Sequence, residues 1–304
     1  MPNVAALGAL AKLTARTLGV FRSEDAIRIG IDRNQLAAMK AHGVVVREFP
    51  NVYRMTSVAA SPEQRLRAAL AWAGPEAAAA GRSAARLYGL DGIRGERPEI
   101  VVPDGVRARS PEITVHHARD RRMLMVRPRS GIPTTGVEAT LLLLAHVVDE
   151  EALEIACENA RRRTLTSVPA LEAYLNRWQQ RGRLGLRTLR SLLAQLDPVQ
   201  PARSTLEVLT RRLLVGHGLD GFVREYPLAD GDHRFFYDFA FVRERVILEV
   251  NGRRWHDDAA DFEHDQAKWS VPARHGFRLV FATWDTVTNR PDALIAELQA
   301  TLAA

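Results

Sequence analysis

The stretch FFYDFAFVRERVILEVNGRRWH, residues 235–256, places two carboxylates inside runs of residues that favour buried strands. Asp238 stands in the aromatic run FFYDFAFV and Glu249 in the aliphatic run VILEV. The charged triplet RER separates the two runs, which predicts a tight antiparallel hairpin. Ten residues lie between the acids, a spacing that lets them face each other across such a hairpin. Because a buried carboxylate is costly unless it is paired or holds a cation, we expect a site at this place.

Two carboxylates held together in this way favour a divalent cation that prefers oxygen ligands. No lysine lies in the stretch to neutralise them, so Mg²⁺ or Mn²⁺ is the expected ion, bound by Asp238 and Glu249. The backbone carbonyl of Val250 is a candidate for a third ligand. A cation in such a site polarises a phosphodiester and generates a hydroxide nucleophile near neutral pH.

Residues 201–304 are predicted to form a domain of their own around this hairpin. Ser204 followed by Glu207 matches a capping box that begins a helix. The expected strands and later helices are strands 222–228, 235–242 and 245–251, a helix over 258–275, a strand over 277–283 and a helix over 291–302. The resulting order is α-β-β-β-α-β-α.

Residues 204–302 resemble the PD-(D/E)xK nuclease superfamily, and within it the very-short-patch mismatch repair endonucleases, through Glu207, Asp238, Glu249 and the segment NGRRWH. The resemblance implies a restriction-endonuclease-like αβββαβ core. It also implies that Asp238 and Glu249 are metal ligands and that Glu207 is an auxiliary acid. His256 would activate or orient the attacking water, the role that the repair branch gives to a histidine.

The sequence departs from this family at the position that usually holds a catalytic lysine, where Asn251 stands. Lys268, on the following predicted helix, is the candidate substitute. Arg253 or Arg254 could contact a phosphate. The structural zinc site of the repair enzymes needs cysteines, and the one cysteine of the chain, Cys157, lies outside this region, so no zinc is expected.

Residues 1–57 predict a winged helix-turn-helix. Helical spacing covers residues 4–18, Asp32 is placed to cap the helix RNQLAAMKAH, and VVVREFPNVYRM predicts two strands joined by a Pro-Asn turn. The third helix of such a domain lies against DNA. The residues that it would present are Arg33, Asn34, Gln35 and Lys40.

Residues 58–200 predict an α+β middle domain that includes an alanine-rich helix over 75–88. It ends in a basic, glycine-punctuated interval before Pro198 and Pro201. Three segments, residues 19–55, SAARLYGLDGI (83–93) and GIPTTGVEATLLLLA (131–145), resemble AbiEi-type antitoxins of abortive-infection systems. The resemblance implies that the winged helix binds promoter DNA and represses its own operon, and that the second domain neutralises a toxin.

The charge of the chain is unevenly distributed. Its net charge is +6, but residues 1–200 hold 29 basic and 20 acidic residues, whereas residues 201–304 hold 13 and 16. This asymmetry indicates that residues 1–200 present a surface to a polyanion and that residues 201–304 contain an acidic site. No apolar run approaches the ~20 residues that a membrane helix needs, and no signal peptide is expected, so the predicted location is the cytoplasm.

The sequence therefore predicts a multidomain α/β protein and leaves two functions open. The first is a divalent-metal-dependent DNA endonuclease, with nicking and DNA repair as options, positioned by the winged helix. The second is a non-enzymatic AbiEi-like antitoxin and transcriptional repressor whose nuclease fold is degenerate. Asn251 favours the second function, whereas Asp238, Glu249 and His256 favour the first.

Overall fold

The computed structural model describes residues 4–95, 97–180, 182–231, 233–251 and 268–304. The chain divides into two compact units, Met1–Val199 and Gln200–Ala304. Both units combine helices with a sheet, so the multidomain α/β class is confirmed.

A winged helix-turn-helix begins the first unit. Its elements are α1 (Val4–Thr14), β1 (Val20–Arg22), α2 (Ser23–Arg28), α3 (Arg33–Ala41), β2 (Val45–Phe49) and β3 (Val52–Met55). Strand β3 lies between β1 and β2 and is antiparallel to both. Asn51 adopts a left-handed φ of 62° at the turn of the wing, which asparagine tolerates better than most residues.

The rest of the first unit combines a five-stranded mixed sheet with helices. Its elements are α4 (Pro62–Ala73), β4 (Ala78–Ala79), α5 (Gly81–Tyr88), β5 (Glu99–Pro103), β6 (Thr114–Ala118), a 3₁₀ helix (Arg121–Leu124), β7 (Arg127–Arg129), β8 (Ile132–Thr134), α6 (Val137–Leu144), α7 (Glu150–Arg162), α8 (Val168–Arg177) and α9 (Leu186–Leu193). The sheet order is β6-β5-β4-β8-β7. Helices α6 to α9 bury their leucines in one large core cluster.

The prediction of one alanine-rich helix over 75–88 is wrong in its first half. Residues 77–80 are four alanines at most 3% exposed, and two of them form β4 at the centre of the sheet. The helix begins only at Gly81. Alanine favours helices by propensity, but tertiary packing decides here, because β4 pairs with β5 and β8.

The winged helix and the middle region share part of their core. Val20 and Val52, from the wing sheet, belong to the same buried cluster as Leu66 and Leu70 of α4. Helix α4 therefore covers the wing strands with apolar side chains. Cutting the chain between β3 and α4 would expose this surface to water, at a cost of roughly 25 cal/mol for each Å² of apolar area.

The second unit has a four-stranded sheet between helices. Its elements are α10 (Thr205–Gly216), β9 (Val223–Asp230), β10 (His233–Phe241), β11 (Val246–Asn251), β12 (Arg278–Thr283), α12 (Trp284–Thr288) and α13 (Pro291–Ala303), with a helical stretch at 268–274, called α11, before β12. The earlier part of the helix predicted over 258–275 lies outside the described residues. The sheet order is β12-β11-β10-β9, and only the β11–β12 pair is parallel. The predicted order of these strands along the chain is confirmed.

Strand β11 separates two apolar clusters. Val246 and Leu248 pack with the helical residues Leu206 and Leu214, whereas Ile247 belongs to a second cluster. Side chains alternate between the faces of a strand, so Glu249 follows Ile247 on the face of the second cluster. The carboxylate therefore emerges at the end of a buried strand.

Candidate functional site

Asp238 and Glu249 are cross-strand neighbours. The register pairs Phe239 with Leu248, which sets Asp238 opposite Glu249. The backbone N–H of Val250 donates a hydrogen bond to Asp238 Oδ2 at 2.7 Å, and the N–H of Asp238 donates one to Glu249 Oε2 at 3.4 Å. Asp238 is 9% exposed and Glu249 7%. The proximity that the hairpin spacing predicts is therefore present.

Two further carboxylates complete the cluster. Carboxylate oxygens of Glu207, Glu225 and Asp238 all lie within 4.8 Å of one another. Glu207 reaches this place from the first turn of α10, where its N–H donates to Ser204 Oγ at 3.1 Å. Its own Oε2 accepts from the N–H of Arg203, at 2.9 Å, rather than from the N–H of Ser204. The capping box is thus displaced by one residue, and the N–H of Arg203 orients the carboxylate of Glu207.

Sequence reasoning missed Glu225. The register of β9 and β10 pairs Tyr226 with Tyr237 and Arg224 with Phe239, so Glu225 lies opposite Asp238. Its φ of 51° is in the left-handed region, which is uncommon for a residue with a side chain. The signal for it is the position of Glu225 in VREYPLAD, the strand that pairs with the aspartate strand.

The acids of the site contact two cations, namely Arg203, whose guanidinium contacts Glu225 Oε2, and Lys268. Its Nζ contacts Glu249 Oε1, and its backbone carbonyl accepts a hydrogen bond from the Tyr237 hydroxyl at 2.6 Å. The Nζ also lies 5.3 Å from the centre of the Tyr237 ring. Asn251 ends β11 and pairs in register with Thr283. The lysine from the next helix thus contacts the second acid of the hairpin.

Burial and mutual repulsion weaken these acids. Burial, with a further contribution from the charge of Asp238, raises the pKa of Glu207 to about 7. The same two causes raise the pKa of Glu249 to about 7, against the opposing effect of Lys268. Burial also raises the pKa of Asp238 and that of Glu225. A nearby cation would favour the ionised forms of all four acids.

The chemistry of the cluster fits a hard divalent cation. The available donors are carboxylate oxygens, which Mg²⁺ and Mn²⁺ prefer to nitrogen or sulfur. Ligands on opposite sides of Mg²⁺ lie about 4 Å apart, given Mg–O distances of ~2.0–2.1 Å, and the spread of the three oxygens within 4.8 Å is close to this. Glu207, Glu225 and Asp238 would hold the ion, while Glu249 contacts Lys268. The structure shows the N–H of Val250, rather than its carbonyl, engaged with the cluster.

Helix α3 presents a second candidate surface. Asp32 begins the helix, because its Oδ1 accepts a hydrogen bond from the N–H of Gln35 at 2.8 Å, and Gln35 Oε1 accepts one from the N–H of Asp32 at 2.9 Å. Leu36 and Met39 are buried. The residues predicted to face DNA are all exposed, namely Arg33, Asn34, Gln35 and Lys40. The side-chain oxygen of Gln35 therefore caps the helix.

The remaining predicted site residues, Arg253, Arg254 and His256, lie outside the described residues. Among the described residues, none of the helices has the length and apolar character that crossing a membrane requires.

Comparison with known proteins assigns a family only to the N-terminal part. Residues 9–56 match the family described as transcriptional regulator, AbiEi antitoxin, and this segment corresponds to the winged helix. No curated protein matches the chain. Among solved structures, the chain is similar to the RV2827C protein from Mycobacterium tuberculosis, with 19% identity over 69% of this chain and 82% of that one, and a TM-score of 0.48.

Proposed function

We propose that the protein is a DNA-binding transcriptional regulator that contacts DNA through α3. The observation that carries this proposal is the AbiEi match over residues 9–56, which coincides with a winged helix whose third helix is exposed and basic. In helix-turn-helix proteins the N-terminal residues of the recognition helix contact base edges. Arg33 and Asn34 hold that place in α3, and Lys40 is available for a phosphate.

The same family supports a toxin partner for this protein. Members are described as antitoxins, and the resemblance extends by sequence into residues 83–93 and 131–145. We expect the protein to repress its own operon and to bind a cognate toxin encoded beside it. The winged helix supplies repression, and the remainder of the first unit supplies toxin contact.

A reporter gene placed under the DNA that lies upstream of this protein's own gene tests the regulator function. Expression of the wild-type protein should lower reporter output, and Arg33→Ala/Lys40→Ala should restore it. Unchanged output with the wild-type protein would contradict the proposal.

A second function, metal-dependent phosphodiester hydrolysis, is favoured by one specific observation. The acids Glu207, Glu225, Asp238 and Glu249 and the cation Lys268 meet at the end of β11. A bound Mg²⁺ or Mn²⁺ would polarise a phosphate and lower the pKa of a bound water. Acids whose pKa values are raised by burial and by neighbouring charge, and which lie beside a lysine, mark a candidate functional site.

Each residue of the cluster has a proposed role in this hydrolysis. Glu207, Glu225 and Asp238 would hold the cation, and the N–H of Val250 donates a hydrogen bond that orients the Asp238 carboxylate. Glu249 would accept a proton or orient water, and Lys268, which contacts Glu249, would neutralise its charge and contact the phosphate. His256 as a water-orienting residue, and Arg253 and Arg254 as phosphate contacts, stay predictions from the sequence.

Plasmid nicking separates the enzyme from a regulator with a degenerate nuclease fold. Supercoiled plasmid incubated with the protein and Mg²⁺ or Mn²⁺ should convert to the relaxed form, and EDTA should prevent it. A preparation that binds DNA but leaves the plasmid supercoiled with either metal would support the non-enzymatic regulator.

A further inference from the structure

One segment of the first unit is rich in arginine and free of acids. Residues 173–196 contain five arginines and neither aspartate nor glutamate. In the structure this segment covers the end of α8, a glycine-containing turn and α9. Neither the winged helix nor the carboxylate cluster uses these residues.

The segment forms an open groove with a volume of about 1000 Å³. The polar side chains that line it include Gln179, Gln180, Arg183, Arg187, Thr188 and Arg190. Arg187 and Arg190 are exposed, whereas Arg183 is half-buried. Within the described part of the chain, all of the charged residues that line the groove are arginines, so it is a surface of one sign.

Two arginines of the groove, Arg183 and Arg190, make hydrogen bonds to neutral acceptors. Arg183 donates to Met123 Sδ at 2.8 Å and to Gln180 Oε1 at 3.0 Å. Arg190 donates to Asn176 Oδ1 and to Gln179 Oε1, both at 3.2 Å. Elsewhere in this unit arginines pair with carboxylates; examples are Arg54–Glu48, Arg82–Glu99 and Arg161–Glu158. The guanidinium groups of Arg183 and Arg190 are thus oriented by amide oxygens and a thioether sulfur, while Asp120, whose charge interacts with that of Arg183, forms its ion pair with Arg122.

A rigid scaffold holds these arginines in place. Leu189 and Leu192 of α9 are buried in the large helical core, so the arginines lie on the opposite, outer side of the helix. Gly185, at a φ of 78°, precedes α9, and a Cβ on it would lie 2.4 Å from the carbonyl oxygen of Leu142. Only glycine permits this close approach to α6. A preformed cationic site loses less conformational entropy on binding than a mobile one.

We propose that this groove, which we call the arginine groove, binds phosphate groups of the DNA backbone. The proposal rests on the DNA-binding function and adds to it a second, sequence-independent contact outside the winged helix. Arginine suits this role because its planar guanidinium donates two parallel hydrogen bonds to a phosphate. The open shape and exposed arginines favour an extended polyanion over a small enclosed ligand. The same phosphate chemistry is also available from a free nucleotide, which the experiment distinguishes.

The test uses full-length protein with Arg187→Gln/Arg190→Gln beside the control Arg109→Gln/Arg119→Gln. Each double variant removes two exposed positive charges from the first unit. Fluorescence anisotropy with a labelled duplex from the protein's own upstream DNA gives the affinity at several salt concentrations. Calorimetric titration with ATP measures binding of a free nucleotide. Arg33→Ala/Lys40→Ala, in the winged helix, is measured in parallel.

The groove variant should reduce the slope of log affinity against log salt by about 1.8, or ~0.9 for each lost phosphate contact. Its affinity at about 0.1 M salt should fall roughly tenfold or more, while the control stays near the wild type. Stoichiometric ATP binding that only the groove variant loses, with DNA affinity unchanged, would assign the groove to a free nucleotide and overturn the DNA contact.

Unchanged binding of both probes by the groove variant, or an equal loss in the control, would overturn the arginine groove altogether. If the wild-type protein binds no DNA, the proposed function itself fails, and the ATP titration alone decides whether the groove binds phosphate. If DNA binding depends on Arg33 and Lys40 but not on Arg187 and Arg190, the groove fails and the proposed function stands.

Discussion

The outer surface of α3 and the carboxylate cluster of the second unit are built in opposite ways. The first is contiguous in sequence, exposed, and shaped by one helix whose cap and buried face are local features. The second draws its residues from five elements and buries most of their surface; they are Glu207, Glu225, Asp238, Glu249 and Lys268. A recognition helix can therefore be predicted from one short segment, whereas a buried polar site depends on the register of distant strands.

The two regions also differ in what ionisation costs. Exposed residues of α3 keep their charges in water, where the cost is small. In the cluster, burial raises the pKa of Glu207 and of Glu249 to about 7. Because the pKa values of these acids are raised, ionising them destabilises the folded state unless a bound cation offsets that cost. The cluster therefore has the energetic properties of a binding site, and α3 has those of a contact surface.

The largest effect is expected from Asp238→Asn. The amide would keep the shape of the side chain but remove the charge that the cation needs, so nicking should fall by at least ~100-fold, in the range seen when a main electrostatic contributor is removed. DNA binding should stay unchanged. Asp230→Asn, which alters an exposed acid paired with Arg274 in the same sheet, is the matched control and should nick like the wild type. Nicking that survives Asp238→Asn would show that the carboxylate cluster is not the site of the activity.

Removal of positive charge from α3 should weaken DNA binding and leave metal binding by the cluster unchanged. Arg33→Ala/Lys40→Ala should weaken DNA binding by roughly 10- to 100-fold, at ~1–3 kcal/mol for a base contact and less for a phosphate. Metal affinity of the cluster, followed by Mn²⁺ titration, should be unaffected. Arg28→Ala removes an exposed arginine that pairs with Asp25 on α2 and serves as the control. Equal losses in both proteins would mean that charge in general, rather than α3, binds DNA.

Variants at Lys268 test whether nicking needs a positive charge beside Glu249. Lys268→Ala should lower nicking by about 10- to 100-fold, because the counter-charge of Glu249 is lost. Returning the lysine to strand β11 in Asn251→Lys/Lys268→Ala should recover part of this loss if a cation is needed in space rather than at one position. Full activity in Lys268→Ala would remove this residue from the mechanism.

The smallest expected effect is on stability. Glu207 has an ordinary pKa of 4.5 and a folded pKa of about 7, so the folded state binds more protons than the unfolded state between these values. Stability without metal should therefore fall as the pH rises from about 4.5 to about 7. Glu207→Gln should restore part of the lost stability, on the order of 1–3 kcal/mol above pH 7. Below about pH 4.5 it should leave the stability unchanged.

Hydrogen exchange of the β10 and β11 amides in metal-free buffer measures the pH dependence of stability in the strands around the cluster. Glu297→Gln, at an exposed position of α13, should follow the wild type. If the β10 and β11 amides of the wild-type protein became better protected as the pH rises, the predicted fall of stability with rising pH would be wrong.

The sequence was informative where physical constraints are local. The acids in apolar strands predicted the hairpin and the proximity of Asp238 to Glu249, and Asp32 predicted the start of α3. Glu225 was missed, because its place opposite Asp238 depends on the β9–β10 register, which its position in VREYPLAD alone does not fix. The alanines of β4 were misassigned, because only their neighbours in the sheet override helix propensity.

The most direct test of the account is the specificity of DNA binding by full-length protein. Anisotropy at physiological salt would compare a duplex from the upstream DNA with a scrambled duplex of the same composition. A wild-type preference of ~1,000-fold or more, typical of specific regulators, that Arg33→Ala/Lys40→Ala reduces to near unity is the predicted result. Equal affinity of the wild-type protein for both duplexes would contradict the claim that α3 makes this protein a DNA-binding regulator.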